Sequence, residues 1–277
     1  SSHQAIVATA VTLGLSFQPF VGDAVALTAV SNVAGGSTFA YINGGSIDTR
    51  LAASGGTDIY VGASSQTYSN TLIVSGAIGG GFAGAGAGSG TNLTRTTKAY
   101  VTNAAVGGTN KPNNVTVRAS STQVSSNIVI GLAIGFGGGA ASVLVNKFSA
   151  DTEAYIDGGS VTASGLAVNA SSVNGFFAAA GAGSAGIIGI AGAFVVGLSS
   201  DTTKAYIGDS SQDTTINVSS ALEVSAISDN TFNSYSIGGS FAGLGAVAGM
   251  ADATVVNNTT EARIERATGT QQSSSVT

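Results

Sequence analysis

The chain has 277 residues, of which 8% are charged against roughly 25% in ordinary soluble domains, and it contains 41 glycines. It has no cysteine and a single histidine, which excludes zinc fingers, disulfide scaffolds and cysteine–histidine nucleophiles. With only nine Lys and Arg and a net charge of −5, it lacks the basic surface that nucleic-acid binding needs.

A pentapeptide pattern recurs five times along the chain. It reads Thr, any residue, Ala, Tyr and then Ile or Val, with Arg replacing Tyr in the last copy. Successive copies lie roughly 50–60 residues apart, which is typical of a repeat architecture. The copies occupy positions 38–42, 97–101, 152–156, 203–207 and 260–264.

These copies predict a single repeat array over residues 1–277. We divide it into five imperfect repeats, each roughly 51–63 residues long. Their boundaries are 1–63, 64–119, 120–170, 171–226 and 227–277.

Each pentapeptide is predicted to be a β-strand that ends at a tight corner. Asn43–Gly45 follows the first copy and Asp157–Gly159 follows the third. Asn-Gly and Asp-Gly supply the positive φ that a corner needs, and here they separate runs rich in Val, Ile, Tyr and Thr. Glycine at this density opposes helices, because each one costs about 1 kcal/mol relative to alanine. The fold class is therefore predicted to be all-β.

The alternation within each pentapeptide predicts which face is buried. Side chains of a strand point alternately to opposite sides, so Thr, Ala and Ile or Val share one face in every copy. The second position reads Lys98, Glu153, Lys204 and Glu261 in the last four copies, and such charges belong in water. We therefore expect the Thr, Ala and Ile or Val face to point inward. Opposite charges in successive copies are expected to pair if the copies are stacked.

The fourth position of the pentapeptide gives the candidate contact site. Tyr41, Tyr100, Tyr155 and Tyr206 share the outward face with the charged residues. An exposed tyrosine stripe could bind a carbohydrate or a neighbouring filament. The alternative interpretation is that tyrosine simply has good strand propensity.

The Gly/Ala-rich tracts before the pentapeptides allow a competing membrane interpretation. Gly175–Leu198 is an uncharged run that is long enough for a transmembrane helix. More than half of its residues are Gly or Ala, however, and the chain has no tryptophan belt and no Lys/Arg asymmetry between loops. We therefore favour the interior of a β-solenoid for these tracts and disfavour membrane insertion. A membrane-inserting toxin segment is kept as an alternative.

The repeat length predicts the number of rungs. A repeat of roughly 51–59 residues is longer than one turn of a usual solenoid, so we expect two or three rungs of roughly 18–28 residues in each repeat. One rung would hold the pentapeptide strand and the two strands after it, and another would hold the Gly/Ala tract. Ten to fourteen rungs at about 4.8 Å each predict an elongated body roughly 50–65 Å long.

The order of segments resembles a known kind of repeat region. A Gly/Ala-rich tract such as Ile187–Ala193 precedes the pentapeptide, and segments such as Gly158–Gly165 and Leu166–Ser172 follow it. This order is similar to the repeats of giant bacterial filamentous adhesins, the filamentous haemagglutinin-like and leukotoxin-like passengers of type V secretion. The resemblance implies a right-handed parallel β-helix, export to the cell surface and a stalk or adhesive role. We expect the chain to be a fragment of a longer one.

We find no pattern for catalysis, a cofactor or a metal. His3 has no partner arrangement, and the fourteen acidic residues form neither an Asp-x-Asp calcium loop nor a nonapeptide calcium repeat. The prediction is a non-enzymatic stalk or adhesive segment of a large secreted bacterial surface protein, located outside the cell. Its partners would be neighbouring repeats of the parent chain or other copies of itself. The first alternative is a self-assembling extracellular filament subunit.

Overall fold

The computed structural model describes residues 1–16, 18, 22–49, 57–209 and 213–276. Within these ranges the protein consists of eleven strands in one sheet, without a helix, and all their pairings are parallel. The predicted all-β class is confirmed. The strands are β1 (Ser2–Ser16), β2 (Ala24–Asn43), β3 (Ser46–Ile47), β4 (Ile59–Gly79), β5 (Phe82–Val106), β6 (Asn114–Ile134), β7 (Gly137–Ala163), β8 (Gly165–Ile207), β9 (Thr214–Val256), β10 (Thr259–Ile264) and β11 (Ala267–Val276).

The strands form two long parallel ladders. The motif ladder contains the pentapeptides and stacks β2, β5, β7, the second half of β8, and then β10 and the last part of β9. The return ladder stacks β1, β4, β6, the first half of β8 and the middle of β9. The chain passes alternately through the two ladders, so β8 and β9 each contribute to both.

Paired residues lie one repeat apart in sequence. Ser2 pairs with Ser65 and Asn114 pairs with Gly165, and side-chain hydrogen bonds between stacked strands span 51 to 63 residues. The chain therefore makes one pass through each ladder for every 51 to 63 residues, and the predicted rungs of roughly 18–28 residues are wrong. The reason is that the Gly/Ala tract and the pentapeptide form one continuous strand, as in the 25 residues of β5, with no corner between them.

The same finding corrects the predicted dimensions. Five stacked passes at about 4.8 Å span roughly 24 Å, in place of the expected 50–65 Å. A strand of 25 residues is about 80 Å long when fully extended, so the long dimension follows the strands and not the stacking direction.

The two ladders face each other across a closely packed interior. Thr28 of β2 donates a hydrogen bond of 2.6 Å to Thr12 of β1, and Asn127 of β6 donates one of 2.5 Å to Asn146 of β7. Burial alternates residue by residue along β4 to β8, as expected for strands with one inward face. One segment in the motif ladder and one in the return ladder together form a flattened coil with two long sides, and we call each such coil a pass.

Apolar cores occupy the two ends of the flattened coil. At the pentapeptide end, which we call the head, short strand segments such as Gly159–Ala163 add a third side, and positive-φ glycines such as Gly44 and Gly158 form the predicted corners. We call the Gly/Ala end the tail. The head core includes Val101, Val117, Ile156, Val168 and Ile207, and the tail core includes Ile73, Leu93, Leu144, Phe148 and Phe176.

Candidate functional site

The register of the motif ladder brings the predicted tyrosines together. Tyr41 pairs with Tyr100, Tyr100 with Tyr155 and Tyr155 with Tyr206, and Arg263 takes the next place in the row. The cause lies in the chain itself, because each pentapeptide is separated from the next by one pass through the two ladders. We call this row of four tyrosines and one arginine the tyrosine ladder.

The tyrosine rings form a continuous stack. Successive ring centroids are 5.2, 4.9 and 4.7 Å apart, and the planes differ by 8°, 5° and 2°. The guanidinium carbon of Arg263 lies 5.1 Å from the ring centroid of Tyr206, within cation–π range. Tyr41 is 59% exposed, whereas Tyr206 is only 9% exposed because a residue covers each of its faces. The stack is therefore exposed to solvent at its Tyr41 end, and Arg263 covers it at its Tyr206 end.

Two phenols of the stack, those of Tyr155 and Tyr206, have raised pKa values. Burial raises the pKa of Tyr155, and the charges of Tyr100 and Glu153 act in the same direction. Burial likewise raises the pKa of Tyr206, with a further contribution from Glu153. The hydroxyls of Tyr155 and Tyr206 are therefore neutral hydrogen-bonding groups at physiological pH, and not general bases.

A lane of ion pairs runs beside the tyrosine ladder. Lys98 Nζ lies 2.9 Å from Glu153 Oε2 and 3.0 Å from Asp151 Oδ2, and Lys204 Nζ lies 3.9 Å from Glu261 Oε2. Burial alone would lower the pKa of Lys98, but the two carboxylates raise it. The expected pairing of opposite charges between stacked copies is confirmed. These groups are partly exposed, so each pair contributes about 0–1 kcal/mol.

The inward face of the pentapeptides agrees with the predicted alternation. Thr97, Ala99 and Val101 have no exposed surface, and neither do the equivalent residues of the third and fourth copies. The outward face is thus a regular surface of stacked rings with a charged lane beside it. Such a surface offers ring edges and phenolic hydroxyls to a ligand or a second chain, and it offers a stacking contact at the exposed face of Tyr41.

Asp201 is a buried carboxylate that the sequence analysis missed. Its Oδ1 accepts a 2.8 Å hydrogen bond from the backbone N–H of Ala150, and its Oδ2 accepts bonds from Asn174 (2.8 Å) and Ser199 (2.7 Å). Burial raises the pKa of this carboxyl, although the hydrogen bonds from Ser199 and Ala150 oppose the shift. The alternation of side chains along the strand could have identified it as buried. Asp201 lies two residues before the inward Thr203 and therefore points to the same face.

Arg95 is a second buried charge, in the same inward row as Asp201. Arg95 pairs with Ala150, which in turn pairs with Asp201. Its guanidinium donates to Thr67 Oγ1 at 2.6 Å and to Gln4 Oε1 at 2.5 Å, and burial lowers its pKa. The interior between the head and tail cores is thus polar and contains two buried charged residues.

The described residues contain neither a metal-type cluster nor a membrane-type helix. Within these ranges, three or more His, Cys, Asp or Glu side chains never gather closely enough to hold an ion. The ring of His3 lies 3.2 Å from Gln66 Oε1 and packs near Tyr68. A search of the same ranges finds no helix with the length and hydrophobicity needed to cross a membrane.

Comparisons with known proteins give no match. The chain fits no family model, and neither a curated protein nor a solved structure is similar to it.

Proposed function

We propose that this chain is a β-solenoid segment of a large secreted bacterial surface protein, with a stalk or adhesive role. The observation that carries the proposal is the in-register stacking of all five pentapeptides, from Thr38–Ile42 to Thr260–Ile264. Stacking of equivalent residues means that each repeat forms nearly the same interface with the next one. Such an array can be lengthened by adding repeats without designing a new interface.

The pairing pattern supports a mechanical role. Strands β4 to β7 are each hydrogen-bonded to a parallel strand on both sides, and β5 is paired with β7 along its whole length from Phe82 to Val106. A load along the stacking direction of the stalk is shared by the many parallel hydrogen bonds between two successive passes, which makes the body stiff. Parallel strands joined by crossover connections are right-handed in about 98% of proteins, which supports the proposed right-handed winding.

The adhesive part of the proposal belongs to the tyrosine ladder. The rings of Tyr41, Tyr100 and Tyr155 present edges and hydroxyls to the outside in a row with regular spacing. Tyrosines supply a large contact area at a low cost in conformational entropy, which suits them to contacts with a carbohydrate or a neighbouring filament. We propose this row as the contact surface of the stalk.

The stalk proposal is tested by lengthening the array. Three extra copies of residues 120–226 inserted after residue 226 add six repeats, which should lengthen the body by about 29 Å along the stacking direction with an unchanged coil outline. Electron microscopy of the purified proteins measures both dimensions. A matched control inserts the same number of residues with each 120–226 copy in scrambled order. Separate globules, or a body that widens without lengthening, would contradict the proposal.

A self-assembling filament subunit remains the alternative, and one observation favours it. In the described part of the chain, β1 and β2 are hydrogen-bonded on one side only, and their outward apolar residues, such as Val7 and Leu27, are exposed. An open strand edge is a template for a second copy. The same micrographs decide between the two proposals, because a filament subunit forms long polymers and a stalk segment forms single bodies.

A further inference from the structure

The tail is apolar on its outer surfaces as well as in its core. On the return ladder, outward-facing Leu132 and Ile134 are about half exposed, although β6 is paired on both sides. On the motif ladder, Val143 and Ile190 are exposed in the same way, on β7 and β8, which are also paired on both sides. The exposure therefore does not arise from an open strand edge. It belongs to both broad faces of the tail.

The turns that connect the two ladders at the tail are apolar too. Phe82 and Phe136 lie at or beside these turns and are 65% and 45% exposed, and Ile188 and Leu244 hold similar places in later passes. Surface turns are normally built from polar residues together with Gly and Pro. In the described part of the chain, the tip of the tail thus carries a row of exposed aromatic and aliphatic side chains, one from each of the four turns of the second to fifth passes.

Charge is almost absent from the tail. The sequence has no Asp, Glu, Lys or Arg in residues 70–94, 124–146, 171–200 and 230–251. Asp23 lies near the tip of the first pass, where its Oδ1 accepts a 2.9 Å hydrogen bond from the Phe82 N–H. The apolar zone ends at the outward Lys147 on one face and near the half-exposed Tyr235 on the other, residue types that favour the boundary between lipid and water.

We propose that the tail inserts its tip and adjoining faces into a lipid surface. Five passes of about 4.8 Å and a strand length of about eight residues at about 3.3 Å each give each face an area on the order of 600 Å², which is at or above the largest apolar patches of soluble monomers. A second protein copy would cover one face and leave the other face and the tip exposed. A lipid surface covers both faces and the tip together.

The backbone of the middle strands of the tail tolerates this environment. Strands in the middle of the stack have their N–H and C=O groups bonded to parallel neighbours, and this internal bonding is the condition for contact with hydrocarbon. The attraction is hydrophobic and not electrostatic, because the chain has a net charge of −5 and the tail has no Lys or Arg. We therefore expect binding to neutral phosphatidylcholine vesicles, without strengthening by anionic lipids or weakening by salt.

A tryptophan reporter tests the position of the tail. The chain has no tryptophan, so Phe136→Trp provides a single reporter at the tip, and Phe39→Trp, at a 52% exposed position in the head, is its matched control. With phosphatidylcholine vesicles, the Phe136→Trp emission should shift to shorter wavelength and be quenched by brominated acyl chains. The emission of Phe39→Trp should change in neither respect. Equal quenching of both reporters would overturn the proposal.

Paired substitutions test the energetics. Phe82→Ser/Phe136→Ser should lower the vesicle partition coefficient at least about tenfold in flotation assays, because two large apolar side chains no longer enter the lipid. Phe39→Ser/Tyr60→Ser removes two similarly exposed aromatic residues from the head and should leave the coefficient unchanged. Far-UV circular dichroism identifies any variant that has lost its strands.

Two results would overturn the lipid proposal while leaving the stalk proposal intact. One is a failure of the unmodified chain to float with phosphatidylcholine vesicles. The other is self-association in sedimentation velocity experiments without lipid that the Phe82→Ser/Phe136→Ser variant abolishes, since the occupant of the tail would then be a second copy. The stalk proposal is decided separately, by the length of the extended arrays.

Discussion

Asp201 is a charged residue whose burial makes folding depend on pH. Its carboxylate is 2% exposed and is held by Ala150, Asn174 and Ser199. Because burial raises the folded-state pKa above the unfolded value, the stability contributed by Asp201 is complete below the unfolded pKa. That contribution is lost as the pH rises through the folded-state pKa. At neutral pH the charge therefore costs folding free energy.

Asp201→Asn should relieve this cost. The amide keeps an oxygen for the Ala150 N–H, and rotation of the Asn174 amide turns its unpartnered Oδ1 toward the new NH₂ group. We expect the variant to exceed the wild type in unfolding free energy by on the order of 1 kcal/mol at pH 7, with a smaller difference at pH 4. Urea titrations across this pH range measure the difference.

The control for this prediction is Asp213→Asn, the same change at a side chain that is 73% exposed. Its free energy of unfolding at pH 7 should stay within about 0.5 kcal/mol of the wild type, as is usual for a surface substitution. A variant Asp201→Asn that is less stable than the wild type at pH 7, or whose difference is constant with pH, would show that the hydrogen bonds to the carboxylate outweigh its desolvation.

The tyrosine ladder also contributes to stability. Tyr155 stacks on rings on both sides, whereas Tyr41 stacks on one ring only. Each aromatic pair contributes about 0.5–1.5 kcal/mol beyond area burial, so Tyr155→Leu should destabilise the fold by about 1–3 kcal/mol and Tyr41→Leu by about half as much. Chemical denaturation followed by near-UV circular dichroism checks both values. Equal losses at the two positions would mean that ring stacking does not contribute.

At the scale of the strand, the corners limit the length of each side of the coil. Gly159 has a φ of +83°, and a Cβ placed there would overlap the carbonyl oxygen of Ala104 in the neighbouring pass. Both the backbone conformation and the close approach require glycine at this position. The second glycine of the Asp-Gly-Gly turn is therefore required by the close packing of successive corners.

Gly159→Ala should lower the unfolding free energy by about 1–3 kcal/mol, because the side chain is disfavoured at this φ and meets the neighbouring backbone. Gly139→Ala is the control, since a Cβ there meets nothing within 4 Å and the strand conformation is ordinary. It should be neutral or slightly stabilising. Thermal unfolding of both variants gives the comparison, and a Gly159→Ala protein as stable as Gly139→Ala would contradict this account of the corner.

The interior of the long sides is another strand-scale feature. Asn127 donates to Thr91, Ser125 and Asn146, and so connects the two ladders in the middle of the coil. Buried amides and hydroxyls favour alignments that give them partners, and this alignment gives several to the Asn127 Nδ2, although Asn127 Oδ1 and Asn146 Nδ2 have none among the described residues. The chain therefore has few charged residues but a polar interior. There, Ser, Thr and Asn side chains favour one alignment of the two ladders at a modest cost in folding free energy.

At the scale of the whole molecule, the protein has two chemically different ends. The head carries the tyrosine ladder and the ion-pair lane, and the tail carries apolar faces with an apolar tip. Every pass in the stack has the same two ends. A longer array would therefore present one continuous tyrosine row along one side and one apolar edge along the other. The proposed adhesive and lipid contacts thus belong to opposite sides of the same stalk.

Several features of the fold and of the site were predictable from the sequence. The strand conformation, the inward Thr, Ala and Ile or Val, the outward tyrosines and the corners at Asn43–Gly45 and Asp157–Gly159 follow from local alternation and turn chemistry. Applied to whole strands, the same alternation also predicts that Arg95 and Asp201 point inward. The exposure of the outer tail residues required knowing that no further layer covers them.

The sequence by itself determined that the chain forms strands and which residues share a face, because a side-chain period of two is a property of the local backbone. Only the tertiary structure decided how many passes each repeat makes, since strand pairing joins residues 51 to 63 positions apart. It also brought Tyr41, Tyr100, Tyr155 and Tyr206 into one stack and sealed Asp201 between the ladders. Local patterns carry no information on such distant partners, and register between passes is set by the packing of the whole interior.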